Sequence, residues 1–221
     1  MHDVNVFSED FDRPGDTLVV TFGGIAQGMG IPPFEFEKIT AALPARLLFV
    51  RDPEQAWYHI SAATSGFALA DIARRVAESR DRAGVRRLVC VGNSMGGYAA
   101  LVVGSMLAAD QVLSFAPQTF LTTRLRLRHM DRRWRAQMRR ARRSPTAWPA
   151  AFDLATFLRA PGFASATVYS DTADRLDAVH ARHIEDVPGL KIVWSEGKHA
   201  LIRTLRATGE LERVLHAACA G

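Results

Sequence analysis

The chain has 221 residues, of which 48% are hydrophobic and 23% are charged, and its formal net charge is +5. A single domain of this length, here expected to span residues 1–221, buries enough apolar surface to need no disulfides. The two cysteines, Cys90 and Cys219, form neither a disulfide framework nor a zinc-ligand spacing. Neither a membrane-spanning apolar run nor a signal peptide is recognisable, so we expect a soluble cytoplasmic protein.

Short apolar runs recur along the chain, and most are continuously apolar, as is typical of strands buried on both faces of a parallel sheet. They lie at residues 18–22, 46–50, 88–91, 112–116, 167–170 and 190–194, with an edge strand expected at 4–7. Helical patterns cover 62–83, where Gly84 is expected to end the helix, and 95–109. The alternation predicts an α/β fold, a doubly wound and mostly parallel sheet of about six to seven strands flanked by helices.

Residues 121–160 interrupt the alternation because they contain no strand pattern, and we expect them to form a helical cap insertion. Apolar residues fall there at spacings of three and four, at Leu127, Met130, Trp134, Met138 and Ala141. This spacing predicts one amphipathic helix, which Pro145 would stop.

The same insertion is rich in arginine, with ten arginines and one acid, Asp131, over residues 124–143. Three interpretations are open. The arginines can form a solvated helix face, attract an anionic substrate or partner, or contact nucleic acid or an anionic membrane surface. No recognisable nucleic-acid-binding motif accompanies them, so no specific nucleic-acid partner is expected.

The most informative stretch is RRLVCVGNSMGGYAALVVG, in which an apolar strand pattern leads into Gly92-Asn93-Ser94-Met95-Gly96 and then an apolar helix. A serine in G-x-S-x-G at a strand–turn–helix junction sits on a tight turn that exposes its hydroxyl above the sheet. Glycines flank it because side chains there would collide with the neighbouring strand and helix. Ser94 is therefore the candidate nucleophile.

This stretch resembles the nucleophile elbow of the α/β-hydrolase superfamily, and the resemblance extends from about residue 17 to residue 207. The family inserts its cap after the strand that follows the elbow helix, which is where the arginine-rich segment lies. The resemblance implies a catalytic triad in the chain order serine, acid, histidine.

The resemblance implies that His199, in WSEGKHALIRTL, is the triad base, because it follows a strand pattern and precedes an amphipathic helix. The family places its acid a few residues beyond the preceding strand, which favours Asp174 in YSDTADRLD. Asp171, directly at the strand end, and Asp177 remain alternatives.

The resemblance also implies an oxyanion hole built from two backbone N–H groups. One comes from Met95, directly after the nucleophile. The other comes from Gly24 or Ile25, where this chain has Phe-Gly-Gly instead of the His-Gly frequent in the family.

Trp57, Tyr58 and His59 follow the second strong strand and are expected at the same edge of the sheet. They either line a pocket or anchor their loop, and the sequence does not decide between these roles.

Together these features favour an esterase- or thioesterase-like serine hydrolase that uses an acyl-enzyme and no metal or organic cofactor. Its expected partner is a small acyl substrate, for which the arginines allow an anionic class. Two alternatives remain, namely an acyltransferase and a catalytically retired fold that binds an anionic partner at the arginine-rich cap.

Overall fold

The computed structural model of the protein describes residues 6–25, 34–61 and 66–220. Within these residues the strands are β1 (Phe7–Asp10), β2 (Thr17–Phe22), β3 (Arg46–Val50), β4 (Arg87–Asn93), β5 (Gln111–Phe115), β6 (Ser165–Ser170) and β7 (Leu190–Trp194). They form one sheet in the order β1-β3-β2-β4-β5-β6-β7. Among these strands, only the β1–β3 pair is antiparallel. The predicted fold class is therefore confirmed.

The edge strand differs from the prediction at 4–7, since β1 begins at Phe7. Residues 4 and 5 lie outside the described part of the chain.

The described helices are α1 (Glu37–Thr40), α2 (Ala68–Ala83), α3 (Met95–Met106), α4 (Thr123–Arg128), α5 (Arg135–Arg143), α6 (Leu154–Phe157), α7 (Arg175–Arg182), α8 (Leu201–Ala207) and α9 (Glu210–Ala220). Two 3₁₀ turns lie at Pro149–Phe152 and Lys198–Ala200. Gly84 ends α2 as predicted, with a left-handed φ of 65° that glycine adopts at little cost. Helix α2 begins at Ala68, later than the predicted start at residue 62. Residues 62–65 lie outside the described part of the chain. None of the described helices combines the length and the apolar character needed to cross a membrane.

The core has two layers, one on each face of the sheet. Every residue of β2 is buried. Leu18, Val20 and Phe22 pack with α2 and α3, whereas Val19 on the opposite face packs with α8 and α9. Strands covered on both faces need apolar side chains in both directions, which explains their continuous apolar runs.

The segment 121–160 lies between β5 and β6 and holds α4, α5 and α6, with no strand described in it. The prediction of one continuous amphipathic helix is wrong. The helical conformation is interrupted between α4 and α5, where Met130 and Trp134 adopt positive φ values of 54° and 52°. Leu127 and Met130 are exposed, and only the later apolar positions of the pattern pack inward.

The break has a local cause in the buried carboxylate of Asp131. The Asp131 N–H donates to the carbonyl of Arg126, which closes the turn after α4. The Asp131 carboxylate then accepts the backbone N–H of Arg133 at 2.9 Å. Aspartate side chains compete in this way with the helical hydrogen-bond pattern, so the helix stops.

Candidate active site

Ser94 occupies the sharp turn between β4 and α3, with φ 53° and ψ −115°. Two close approaches explain the flanking glycines. A β-carbon on Gly92 would lie 2.1 Å from the carbonyl oxygen of Gly96, and one on Gly96 would lie 2.0 Å from that of Phe22. The Ser94 N–H donates to the Phe115 carbonyl at 2.7 Å, which ties the turn to the end of β5. The strained backbone is thus held by packing on both sides.

The hydroxyl of Ser94 faces two acceptors. Its Oγ lies 3.2 Å from Nε2 of His199 and 3.2 Å from Oε1 of Gln118. A hydroxyl has one proton, so it donates to only one of them at a time. His199 reaches this position from the 3₁₀ turn after β7.

A carboxylate lies behind the histidine, because Oδ2 of Asp177 is 2.7 Å from Nδ1 of His199. A carboxylate only accepts hydrogen bonds, so Nδ1 carries the ring proton of the neutral imidazole. Nε2 is then left with a lone pair directed at Ser94. The structure therefore aligns Ser94, His199 and Asp177 for proton transfer away from the serine hydroxyl.

Asp174 does not contact His199, which corrects the expectation for the acid. It is the N-cap of α7, and its Oδ1 accepts the N–H groups of Leu176 and Asp177 at 3.0 and 3.1 Å. Three residues further on, at the first turn of α7, the Asp177 side chain points inward and is fully buried.

Asp171 tethers the loop that carries the histidine. Its Oδ2 accepts the N–H groups of Gly197 and Lys198 at 2.9 and 2.7 Å, immediately before His199. The three aspartates of this stretch thus hold three separate positions: loop tether, helix cap and histidine partner.

The second oxygen of Asp177 binds the insertion, since Oδ1 lies 2.6 Å from Nη1 of Arg133. Burial opposes ionisation of Asp177, but the contacts with His199 and Arg133 outweigh it and hold the pKa of the carboxyl below its usual value. Asp177 is therefore a carboxylate at neutral pH.

Arg133 also binds Asp131 at 3.2 Å, and Asp131 lies 3.0 Å from Nε2 of His180. Burial lowers the pKa of His180 to about 4, so this ring is neutral at pH 7. Its Nδ1 accepts the Thr119 N–H at 3.0 Å, which leaves Nε2 to donate to Asp131. Buried partners on both sides thus fix the position of Arg133.

In the candidate oxyanion loop, the side chain of Glu35 binds one of the expected backbone donors, a contact that the sequence did not indicate. The Gly24 N–H donates to Oε2 of Glu35 at 2.7 Å, and Nδ2 of Asn93 donates to Oε1 at 2.8 Å. Gly24 is thus not an open donor, contrary to expectation. Met95 begins α3 and has no intrahelical acceptor for its N–H, and Ile25 lines the cavity beside Ser94.

A cavity of about 530 Å³ opens in front of Ser94 and His199. Its large apolar side chains are those of Ile25, Phe34, Phe36, Ile39, Ile202 and Leu211, with Trp134 contributed by the insertion. Three basic side chains, those of Lys38, Arg203 and Arg206, also border it. Two acidic residues, Glu35 and Glu37, line it as well. The cavity therefore combines an apolar surface with three basic and two acidic side chains.

The loop that follows β3 is anchored in the core. Trp57, Tyr58 and His59 are buried. His59 Nε2 lies 2.8 Å from the hydroxyl of Tyr98, and burial lowers the pKa of His59 to about 3. These contacts fit the anchoring interpretation of the three residues. In the described ranges, no cluster of three or more His, Cys, Asp or Glu side chains is placed to hold a metal ion.

A parallel sheet, a strained serine at a strand–helix turn, and a histidine and carboxylate delivered after later strands define the α/β-hydrolase class. Comparison with family models agrees, because the alpha/beta hydrolase family model matches residues 11–220. The chain therefore belongs to the alpha/beta hydrolase family.

Solved structures of the same fold include two enzymes named for acyl chemistry. The capsule O-acetyltransferase of Neisseria meningitidis serogroup A matches with a TM-score of 0.66 at 14% identity, over 94% of this chain and 90% of that one. A hormone-sensitive lipase from a metagenome library matches with a TM-score of 0.62 at 12% identity, over 97% and 84%.

An α/β-hydrolase enzyme from the metagenome of lagoon sediments at Mar Chica, Morocco, matches with a TM-score of 0.60 at 17% identity, over 96% and 92%. Comparison with curated proteins finds no match. At these identities the similarity establishes the fold alone.

Proposed function

We propose that the protein is a serine hydrolase that cleaves an ester or thioester through an acyl-enzyme formed on Ser94. The observation that carries the proposal is the contact series from Ser94 Oγ to His199 (3.2 Å) and from His199 to Asp177 (2.7 Å). A serine hydroxyl is a weak nucleophile and needs such a base, and the base needs an orienting acid.

In the first half-reaction, Ser94 Oγ attacks the acyl carbonyl while His199 Nε2 takes the hydroxyl proton. Asp177 stabilises the resulting imidazolium and keeps Nδ1 protonated. The tetrahedral intermediate collapses as His199 passes the proton to the departing alkoxide or thiolate. In the second half-reaction, water attacks the acyl-enzyme, His199 accepts its proton and returns it to Ser94, and the acid product leaves.

The developing oxyanion requires two donors. We assign Met95 and Ile25, because the Gly24 N–H is engaged by Glu35 at 2.7 Å. Negative charge close to Ser94 is further favoured by the N-terminus of α3, which is 12 residues long.

The cavity favours an acyl compound with an apolar portion, and its basic side chains, three against the two acidic ones of Glu35 and Glu37, allow an anionic group. The six apolar side chains around Ser94 suit a hydrocarbon portion, whereas Lys38, Arg203 and Arg206 suit a carboxylate or phosphate. The substrate class proposed is thus an anionic ester or thioester.

Labelling with a fluorophosphonate probe tests the serine chemistry directly. The comparison covers the wild type, Ser94→Ala, His199→Ala and the control His216→Ala. Circular dichroism first shows that all four proteins are folded. His216 is an exposed histidine on α9. We expect labelling of the wild type and the His216 variant, and loss of labelling in the other two.

A folded wild type that resists both the probe and a panel of activated esters and thioesters would refute the proposal and favour the retired, binding-only alternative. If an acyl-enzyme does form, added alcohols separate hydrolysis from acyl transfer. If the yield of the acid product is unaffected by the alcohol, the reaction is hydrolysis. If an ester of the added alcohol forms, the protein is an acyltransferase.

A further inference from the structure

A second cavity, of about 330 Å³, lies on the insertion between α4 and α5, apart from the one at Ser94. Five guanidinium side chains line it, those of Arg126, Arg132, Arg135, Arg139 and Arg142. We call it the arginine pocket. Helix α5 faces it at positions 135, 139 and 142, whose spacing places the three side chains on one side of the helix.

The charge of the arginine pocket is not neutralised by the protein. Within the described ranges, no carboxylate lies at ion-pair distance from Arg132, Arg135, Arg139 or Arg142. Asp131 is the one acid among the described residues that line it, and its fully buried carboxylate is already bound by Arg133 and His180. Like charges held this close repel one another unless a counter-ion joins them.

Burial first, and neighbouring guanidinium groups second, disfavour the charged form of two of these side chains. Burial lowers the pKa of Arg126, and nearby Arg142 and Arg135 lower it further, against the opposing attraction of Asp131. Burial also lowers the pKa of Arg142, with Arg139 contributing in the same direction. An anion bound beside these groups would favour their charged forms.

Arg126 supplies an independent observation. Its side chain is 7% exposed, and its Nη2 donates to the carbonyls of Asp131 and Arg133. Its Nε, however, is buried with no hydrogen-bond partner in the described part of the chain. A buried charged donor without a partner is costly, and a bound anion beside it would reduce that cost.

We propose that the arginine pocket binds a compact, multiply charged anion of the phosphate class, such as a phosphomonoester or diphosphate group. Guanidinium groups bind phosphate oxygens in pairs, with matched geometry. The pocket lies at the small end of the range for ligand sites, and its concavity suits a small anion better than a nucleic-acid duplex. This site does not depend on Ser94 chemistry.

The phosphate can belong to a soluble compound or to a lipid headgroup. Leu127 and Met130 line the same pocket and are 69% and 68% exposed. They could contact an apolar portion of a soluble ligand or the acyl region of a membrane surface. The two sources are separated by experiment.

Isothermal titration of the full chain with inorganic pyrophosphate, at about 0.1 M salt, tests the site. The test variant is the double substitution Arg135→Gln/Arg139→Gln, and the matched control is Arg140→Gln/Arg143→Gln. The control removes the same charge from the same helix, at exposed positions that do not line the pocket. We expect at least a tenfold loss of affinity in the test variant and less than a twofold change in the control and in Ser94→Ala.

A parallel arm measures co-sedimentation with phosphatidylcholine vesicles, with and without phosphatidic acid. Sedimentation that requires phosphatidic acid and is reduced by Arg135→Gln/Arg139→Gln and by Met130→Ser identifies a lipid headgroup. Pyrophosphate binding without sedimentation identifies a soluble phosphate compound. Absence of both pyrophosphate binding up to roughly 1 mM ligand and phosphatidic-acid-dependent sedimentation, or equal losses in the test and control variants, would overturn the proposal.

Discussion

Replacing Asp177 with asparagine tests the assignment of the orienting acid, because asparagine keeps the shape of the side chain and removes its charge. In the protein, Asp177 holds the proton on Nδ1 of His199 across 2.7 Å. An amide can donate to Nδ1, which would stabilise the tautomer that leaves no lone pair toward Ser94. We therefore expect Asp177→Asn to fold and to lose activity.

The size of the loss follows from the geometry. For unit charges 2.7 Å apart, Coulomb's law at an effective dielectric constant of ~20 gives about 6 kcal/mol. The His199 side chain is 34% exposed, so solvent screens part of this, and about 4 kcal/mol remains as an order of magnitude. That corresponds to a decrease of about 10³-fold in kcat/KM.

The matched control is Asp174→Asn, which makes the same chemical change three residues earlier. Asparagine caps helices about as well as aspartate, so the control should retain both its Tm and its activity. The assay is kcat/KM for an activated ester, with the rate of fluorophosphonate labelling as a second readout. A loss in Asp174→Asn with little change in Asp177→Asn would refute the assignment.

Three further predictions concern folding and substrate binding. Gly96→Ala should destabilise the protein by at least about 4 kcal/mol, because its β-carbon would lie 2.0 Å from the Phe22 carbonyl oxygen. This corresponds to a fall in Tm of about 10 °C. The control Gly84→Ala places its β-carbon in open space and should cost about 1 kcal/mol for its positive φ. Burial raises the pKa of Glu35 above its ordinary 4.5, so its contribution to stability is present below pH 4.5 and lost as pH rises through the raised pKa. Thermal unfolding measured from pH 4.5 upward should therefore show the Tm of the wild type falling relative to that of Glu35→Gln as the Glu35 carboxyl ionises. A difference in Tm that stays constant over this pH range would contradict the prediction. Arg203→Gln should lower kcat/KM about tenfold for a carboxylated thioester and leave the neutral analogue unchanged, since Arg203 borders the cavity at Ser94.

The sequence predicted the features that depend on strong local patterns. A strand buried on both faces must be apolar throughout, so the run at 18–22 located β2 to within one residue of its observed start at Thr17. The turn at Ser94 was predictable for a similar reason, because the positions of Gly92 and Gly96 admit no β-carbon. These constraints act on single residues and leave a direct trace in the sequence.

The carboxylate that contacts His199 was not predictable in the same way. Asp171, Asp174 and Asp177 are chemically identical and lie within one short stretch, so distance from the strand end cannot rank them. The outcome depended on where α7 begins, since its start at Arg175 makes Asp174 the cap and turns Asp177 inward. Helix boundaries are the least reliable part of sequence-based assignment.

Contacts between distant segments left no local pattern at all. Glu35 reaches Gly24 from outside any strand or helix, and Arg133 reaches Asp177 across 44 residues. Gln118 is a partial exception. It comes shortly after β5, whose carboxyl end adjoins Ser94, so the rule that sites gather at this edge could have selected it.

The arginine-rich segment shows why a charge count misleads as an argument about function. Arg133 pairs with the buried Asp177, Arg142 donates to the Leu121 carbonyl, and Arg140 pairs with Glu54 at the surface. The side chains of one basic segment thus have unrelated contacts. Arg133 binds Asp177, Arg140 pairs with Glu54, and Arg142 both donates to the backbone and lines the arginine pocket. Neutralising residues 124–143 together would remove the support of Asp177 along with the anion site, and lost activity would then be misread as lost anion binding. Only single or paired substitutions, chosen by where each guanidinium group lies, can separate these roles.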